Sequence, residues 1–125
     1  MFHKILVIIA LVLVAQSTSE ITRKQWTKIN RLLLHGPILP PNARTCLDNN
    51  IYKKYHKWAT NYAVKYRVKH PHKCRHVTLQ EIQHYAEQGL LIAVQQYNPH
   101  TLHTNFSDHA ISYIRHTICD GIKIH

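Results

Sequence analysis

Three histidines and one cysteine lie close together in the stretch His70-Pro71-His72-Lys73-Cys74-Arg75-His76. Imidazole and thiolate groups are zinc ligands, so the first chemistry to consider here is metal binding. The spacing matches no closed structural zinc motif, and the intervening Lys73 and Arg75 would repel a cation. We therefore predict a solvated basic loop without a metal site.

No other group of residues indicates catalysis. The chain has no paired-carboxylate constellation, no Gly-rich phosphate loop and no nucleophile elbow. Its cysteines, Cys46, Cys74 and Cys119, are widely spaced and odd in number, which does not fit a disulfide-stapled secreted scaffold. We expect no enzymatic activity, no cofactor and no small-molecule substrate.

The charge of the chain narrows the choice of partners. Sixteen Lys and Arg against six Asp and Glu give a formal charge of +10, and twelve His add positive charge in an acidic compartment. Such an imbalance favours a polyanionic partner. Nucleic acid, an anionic membrane surface and an acidic protein all fit.

Residues 1–19 have the pattern of a signal peptide. Lys4 precedes an apolar run of eleven residues, 5–15, and a polar stretch follows. A helix needs about 20 apolar residues to span a bilayer, so the run fits a cleaved leader. An uncleaved N-terminal anchor is the alternative.

Residues 20–45 form a basic segment that ends in the predicted linker Pro40-Pro41. From Ile21 to Arg44 the segment contains no acidic residue, and its apolar residues have helical spacing. This composition is typical of an organelle transit peptide. Together with the leader, it predicts a two-part address for an apicoplast-like plastid surrounded by several membranes. The alternative is a basic amphipathic helix that packs on the domain or on a membrane.

Residues 46–125 are predicted to form an all-α domain of three helices. The first should begin with Asp48 as N-cap and end near Lys69, because His70-Pro71 disfavours helix. Its apolar face recurs at spacings of three and four, and we assign it to the core. That face consists of Ile51, Tyr55, Trp58, Tyr62 and Tyr66. The lysines and arginines of this helix lie mostly off it.

The second and third helices carry clearer boundary signals. Thr78 and Glu81 have the spacing of a capping box, and Asn98-Pro99 predicts the end of the second helix. Gly89, in the middle of that helix, indicates close approach by a neighbouring helix. The third helix should begin with Ser107 as N-cap, and its apolar residues Ala110, Ile111, Ile114 and Ile118 should face inward.

An ordered set of short motifs runs through these two helices. They are Glu81-Ile82, Gly89-Leu90, Ala93-Val94, Tyr97-Asn98-Pro99, Phe106-Ser107, Ala110, Tyr113-Ile114-Arg115 and Ile118, with Ala63-Val64-Lys65-Tyr66 upstream. The set resembles region 2 of the sigma factors that direct bacterial and plastid RNA polymerase to promoters. The resemblance covers about residues 51–118, and its specificity lies in the order and the offsets.

The resemblance implies two functional surfaces. One would bind the non-template strand of the promoter −10 element, using rings for unstacked bases and cations for phosphates; its residues would be Phe106, His109, Tyr113, Arg115 and His116. The other would bind the coiled coil of the largest subunit of the polymerase core, through Glu81, His84, Tyr85 and Glu87.

The chain departs from the family pattern in three ways. His84, Tyr85 and Glu87 replace the family's Gln-Glu-x-Asn surface, and His109 and Ser112 replace its base-capturing Tyr and first Trp. The chain also ends without the helix-turn-helix that reads the upstream promoter element.

The sequence thus predicts a sigma-like transcription initiation factor that binds RNA polymerase and promoter DNA in a plastid-type organelle. The alternative is a secreted cationic helical protein that binds anionic membranes or an acidic partner.

Overall fold

The computed structural model describes residues 21–35, 40–100 and 105–124, so the predicted signal peptide 1–19 lies outside the described residues. The described residues form four helices and no strand: α1 (Arg23–His35), α2 (Pro41–Lys69), α3 (Leu79–Gln96) and α4 (Phe106–Ile124). The all-α prediction is confirmed, and the three helices predicted for residues 46–125 are present, with one additional helix before them. None of the four is long and apolar enough to cross a membrane.

The additional helix is α1, which lies in the basic segment 20–45. It begins with a capping box, in which the Thr22 hydroxyl accepts from the Gln25 backbone N–H at 3.2 Å and the Gln25 side chain accepts from the Thr22 N–H at 2.8 Å. Ile21 and Ile29 are buried in the core, and Trp26 packs against it. The segment therefore includes a helix that packs on the domain, while its role as an address remains a prediction.

Helix α2 begins seven residues before the predicted Asp48 cap. Pro41 stands in its first turn, where the missing proline N–H costs no helical hydrogen bond. Asp48 lies inside the helix instead, and its carboxylate accepts from Arg44 Nε at 2.8 Å. Burial raises the pKa of Asp48, and this outweighs the lowering effect of Arg44. The predicted boundary between residues 45 and 46 consequently falls within α2.

The buried side of α2 winds around the helix. Its buried residues recur at every fourth position up to residue 63: Ala43, Leu47, Ile51, Tyr55, Ala59, Ala63 and then Tyr66. Because an α-helix has 3.6 residues per turn, each step of four rotates the stripe by about 40°. Helix α2 packs mainly on α3. The rotation lets Tyr55, in its middle, contact Trp26 of α1, and Tyr66, near its C-terminus, contact Cys119 near the end of α4. Trp58 and Tyr62, predicted in the core, are only partly buried.

Helix α3 has the predicted boundaries. Thr78 and Glu81 form the capping box, with the side-chain bonds at 3.1 and 3.3 Å. At the other end, Arg44 donates from its guanidinium to the carbonyls of Val94 and Tyr97, at 3.3 and 2.8 Å. The Val94 carbonyl also accepts from the Tyr97 backbone N–H at 3.3 Å, and Arg44 adds charged hydrogen bonds at this C-terminal end of α3.

Helices α3 and α4 pack closely at Gly89. A Cβ atom at this position would lie 2.6 Å from Ile114 Cα and 2.9 Å from the Tyr113 carbonyl oxygen. The predicted close approach is therefore confirmed. Helix α4 begins at Phe106 rather than after Ser107, and the Asn105 side chain caps it by accepting from the Asp108 N–H at 2.9 Å.

Candidate nucleic-acid interface

Arg115 is an exposed cation that a neighbouring aromatic residue holds in place. Its Nε donates to the Tyr62 hydroxyl across the α2–α4 contact, at 3.3 Å. This hydrogen bond is the main reason why the pKa of the guanidinium is raised above its ordinary value, and an arginine is in any case charged at physiological pH. Tyr62 is only partly buried. A cation for a phosphate and a ring for a base therefore lie side by side.

Tyr113 and His109 form a second pair, one turn apart on α4. Their ring centroids are 5.0 Å apart at 68°. His109 is buried, and its Nε2 donates to the Ala93 carbonyl at 2.9 Å. Tyr113 is partly exposed, so its ring is open to contact from one side. Within this pair, His109 acts as a support for Tyr113 rather than as a surface group.

Phe106 lies in the core at the joint, by which we mean the C-terminal end of α3 and the N-terminal end of α4. Only 2% of the residue is exposed. It belongs to an aromatic cluster in which Trp26 stacks on it, with centroids 5.1 Å apart at 23°. Tyr55 and Tyr97 complete the cluster at 4.8 and 5.6 Å from Phe106. In this conformation no base can stack on Phe106, because α1 covers it.

His116 is exposed on α4, and its Nε2 lies 3.1 Å from the carboxylate of Asp120.

The structure does not gather the five predicted DNA-binding residues into one cluster. Positions 113 and 115 differ by two residues, or about 200° around a helix, so Tyr113 and Arg115 occupy opposite margins of α4. His116 lies on the open face between them. Three of the five residues, Tyr113, Arg115 and His116, are therefore at the surface.

The four predicted polymerase-binding residues are spread around α3. His84 is exposed, whereas Glu81 closes the capping box of the helix. Tyr85 packs its ring against Gly121 of α4. Glu87 faces α2, where it lies 3.6 Å from His56. Burial and, secondarily, the charge of Glu87 raise the pKa of the Tyr52 phenol. Of these four residues His84 is exposed, and the other three are partly buried.

The stretch from His70 to His76 forms the turn between α2 and α3. Cys74 is buried, and burial raises the pKa of its thiol. The basic residues of this turn, Lys73 and Arg75, are exposed. Among the residues that the structure describes, no three His, Cys, Asp or Glu are grouped so as to hold a metal ion.

Two residues of the candidate interface were not predicted from the sequence. Tyr62 was assigned to the core because it shares the aromatic stripe of α2. Arg23 was assigned to the transit-like segment, yet it lines a cleft of about 310 Å³ beside Phe106 and Ser107. For Tyr62, the signal was the spacing of the aromatic residues along α2. Because a spacing of four residues rotates the row around the helix, its last members could have been expected to be partly exposed. For Arg23, the Thr22–Gln25 capping box could have indicated a folded helix.

Comparison with known proteins gave no assignment: no family model matches the chain, and neither does any curated protein or solved structure.

Proposed function

We propose that this protein is a sigma-like transcription initiation factor that binds a bacterial-type RNA polymerase core and the opened −10 element of promoter DNA. The observation that carries the proposal is the pair formed by Arg115 and Tyr62 at 3.3 Å on open surface. Opened promoter DNA presents phosphates and unstacked bases, and this pair offers a fixed charge and a ring for them. The order of sequence motifs along α3 and α4 supplies the link to transcription initiation.

The other surface residues lie further around α4, with His116 on its open face and Tyr113 on the opposite margin from Arg115. Tyr113 offers a second ring, and His116 a group that gains charge in acid. The formal charge of +10 favours a polyanion over a neutral partner. His84 is the residue of α3 best placed for the polymerase. We also propose that the chain acts in a plastid-type organelle, which a fluorescent tag at the C-terminus of the full chain would test by its location.

The binding test uses the full chain, labelled fork-junction DNA and a bacterial-type polymerase core. We expect salt-sensitive DNA binding and retention of the core on the tagged chain. Arg115→Gln should weaken DNA binding about 5- to 10-fold, the equivalent of about 1–1.4 kcal/mol for one lost contact. The matched control is Arg31→Gln, which removes an exposed arginine from α1 and should have little effect.

A further variant separates charge from positioning. Tyr62→Phe keeps the ring but removes the hydroxyl that holds Arg115, so it should weaken DNA binding by less than Arg115→Gln does. The proposal fails if the chain neither retains the core nor binds DNA in a salt-sensitive way. Binding to anionic vesicles, with no binding to DNA, would support the secreted cationic protein instead.

A further inference from the structure

The outer side of α2 carries a regular row of lysines. Its exposed positions include every fourth residue from 53 to 69, and four of these five positions are lysine: Lys53, Lys57, Lys65 and Lys69, with Asn61 between. Successive positions are separated by about 6 Å along the helix axis and about 40° around it. Such i, i+4 rows form an oblique ridge on a helix surface. We call this row the lysine ridge.

The part of the sequence that carries the lysine ridge contains no acidic residue. From Asn49 to Gln80 the chain contains eight Lys and Arg and no Asp or Glu. Ion pairs within the described part of the chain engage Arg44, His56 and His116, and no ridge lysine takes part in one. The ammonium groups are therefore available for a polyanion that approaches from solvent.

The ridge leads to the candidate interface. Because the row rotates around α2, its C-terminal part turns toward the side where α4 packs. Lys65 follows Tyr62 by three residues and so lies beside it on the helix surface, and Tyr62 holds Arg115. Beyond Lys69, the exposed Lys73 and Arg75 continue the positive charge into the turn before α3.

We infer that the lysine ridge is a track for the sugar–phosphate backbone of one nucleic-acid strand, which it leads to Arg115 and Tyr62. This inference rests on the proposed nucleic-acid function and specifies the path of the strand. Four steps of about 6 Å give a track of about 24 Å, and the repeat is similar to the distance between neighbouring phosphates along a strand. A membrane is a poorer fit, since membrane-surface helices need a broad apolar face. Within α2, Val68 is the one large apolar residue that is exposed.

The test compares lysine pairs of identical type and spacing. The chain, in full length, is titrated into a labelled single strand of mixed sequence between about 50 and 200 mM salt. Lys53→Gln with Lys57→Gln, and Lys65→Gln with Lys69→Gln, remove two halves of the ridge. The control is Lys24→Gln with Lys28→Gln, since these two lysines are also exposed and four residues apart on a helix, α1.

Each phosphate contact contributes about 0.7 to the slope of log K against log salt for single strands. Each ridge pair should therefore reduce the magnitude of the slope by about 1.4, and both pairs together by about 2.8. The control pair should leave the slope nearly unchanged, and replacing the ridge lysines by arginine should preserve it. Because all of these side chains are exposed, the helical circular dichroism signal should not change.

Two results would overturn the track. An equal loss of slope in the control would show that net charge alone decides binding. Ridge variants that keep the DNA slope but lose binding to anionic vesicles would make the ridge a membrane surface.

The outcomes also separate the track from the proposed function. If only the ridge variants lose slope and the chain does not retain the polymerase core, the track is supported and the sigma-like function is contradicted. If the chain retains the core and the ridge variants keep the wild-type slope, the sigma-like function is supported and the track is contradicted.

Discussion

Gly89→Ala tests the contact on which the geometry of α3 and α4 depends. The added Cβ would lie 2.6 Å from Ile114 Cα and 2.9 Å from the Tyr113 carbonyl oxygen. Carbon atoms in van der Waals contact are about 3.5–4.0 Å apart. The obstacle is backbone, which cannot rotate away as a side chain can, so α4 would have to move by about 1 Å.

Two opposing effects determine how much Gly89→Ala should change the free energy of unfolding. Replacing a mid-helix glycine by alanine favours the helix by about 1 kcal/mol. Overpacking typically costs about 1–3 kcal/mol and occasionally more, and a clash with backbone belongs at the upper end. We therefore expect Gly89→Ala to lower the free energy of unfolding by about 2 kcal/mol. Urea denaturation followed by circular dichroism measures this directly.

Gly121→Ala is the matched control. A Cβ at Gly121 would meet the ring of Tyr85, a partly buried side chain that can shift more readily than the backbone around Gly89. The gain in helix propensity then offsets most of the strain, and the stability should change by less than about 1 kcal/mol. If Gly89→Ala is as stable as the wild type, or more stable, the close packing of α3 on α4 is refuted.

Three further predictions address other parts of the fold. Arg44→Gln should lower the free energy of unfolding by about 2–3 kcal/mol in urea, because charged hydrogen bonds to two carbonyls at the end of α3 are lost; a loss below about 0.5 kcal/mol would contradict this cap. Trp26→Ala should cost about 2–3 kcal/mol, less than a fully buried tryptophan, and should speed amide exchange in α1; unchanged exchange would mean that Trp26 does not hold α1. Burial, and then the hydrogen bond with Cys119, raise the pKa of Tyr66 to about 12. The folded state thus keeps a proton that the unfolded chain releases near pH 10, so stability should fall as pH rises from about 10 to about 12, and Tyr66→Phe should reduce that fall; an identical decline in the variant would be inconsistent with the assignment.

Local sequence signals predicted the hairpin of α3 and α4 well. The capping box at Thr78, the end of α3 before Asn98-Pro99 and the close approach at Gly89 each depend on a few neighbouring residues. The start of α2 was missed because Pro41 was interpreted as part of a linker, although proline is favoured in the first turn of a helix. Asp48 resembles an N-cap, but Arg44 precedes it by one turn and holds its carboxylate.

The candidate site was harder to predict because it depends on contacts between distant residues. Phe106 is buried through contacts with Trp26, Tyr55 and Tyr97, which lie on three other parts of the chain. No pattern local to residues 106–116 shows that α1 covers this ring. The exposure of Arg115 and its bond to Tyr62, 53 residues away, likewise follow from the packing of α4 on α2. Sequence alone could name the aromatic and cationic residues but not which of them reach solvent.

The most direct test of a sigma-like function is a salt series of fork-junction DNA binding by the full chain, with and without a bacterial-type polymerase core. We expect the core to be retained by the chain and to strengthen DNA binding, and Arg115→Gln to weaken binding about 5- to 10-fold in both conditions. Equal binding by the wild type and Arg115→Gln, with no effect of the core, would contradict a sigma-like function centred on Arg115 and Tyr62.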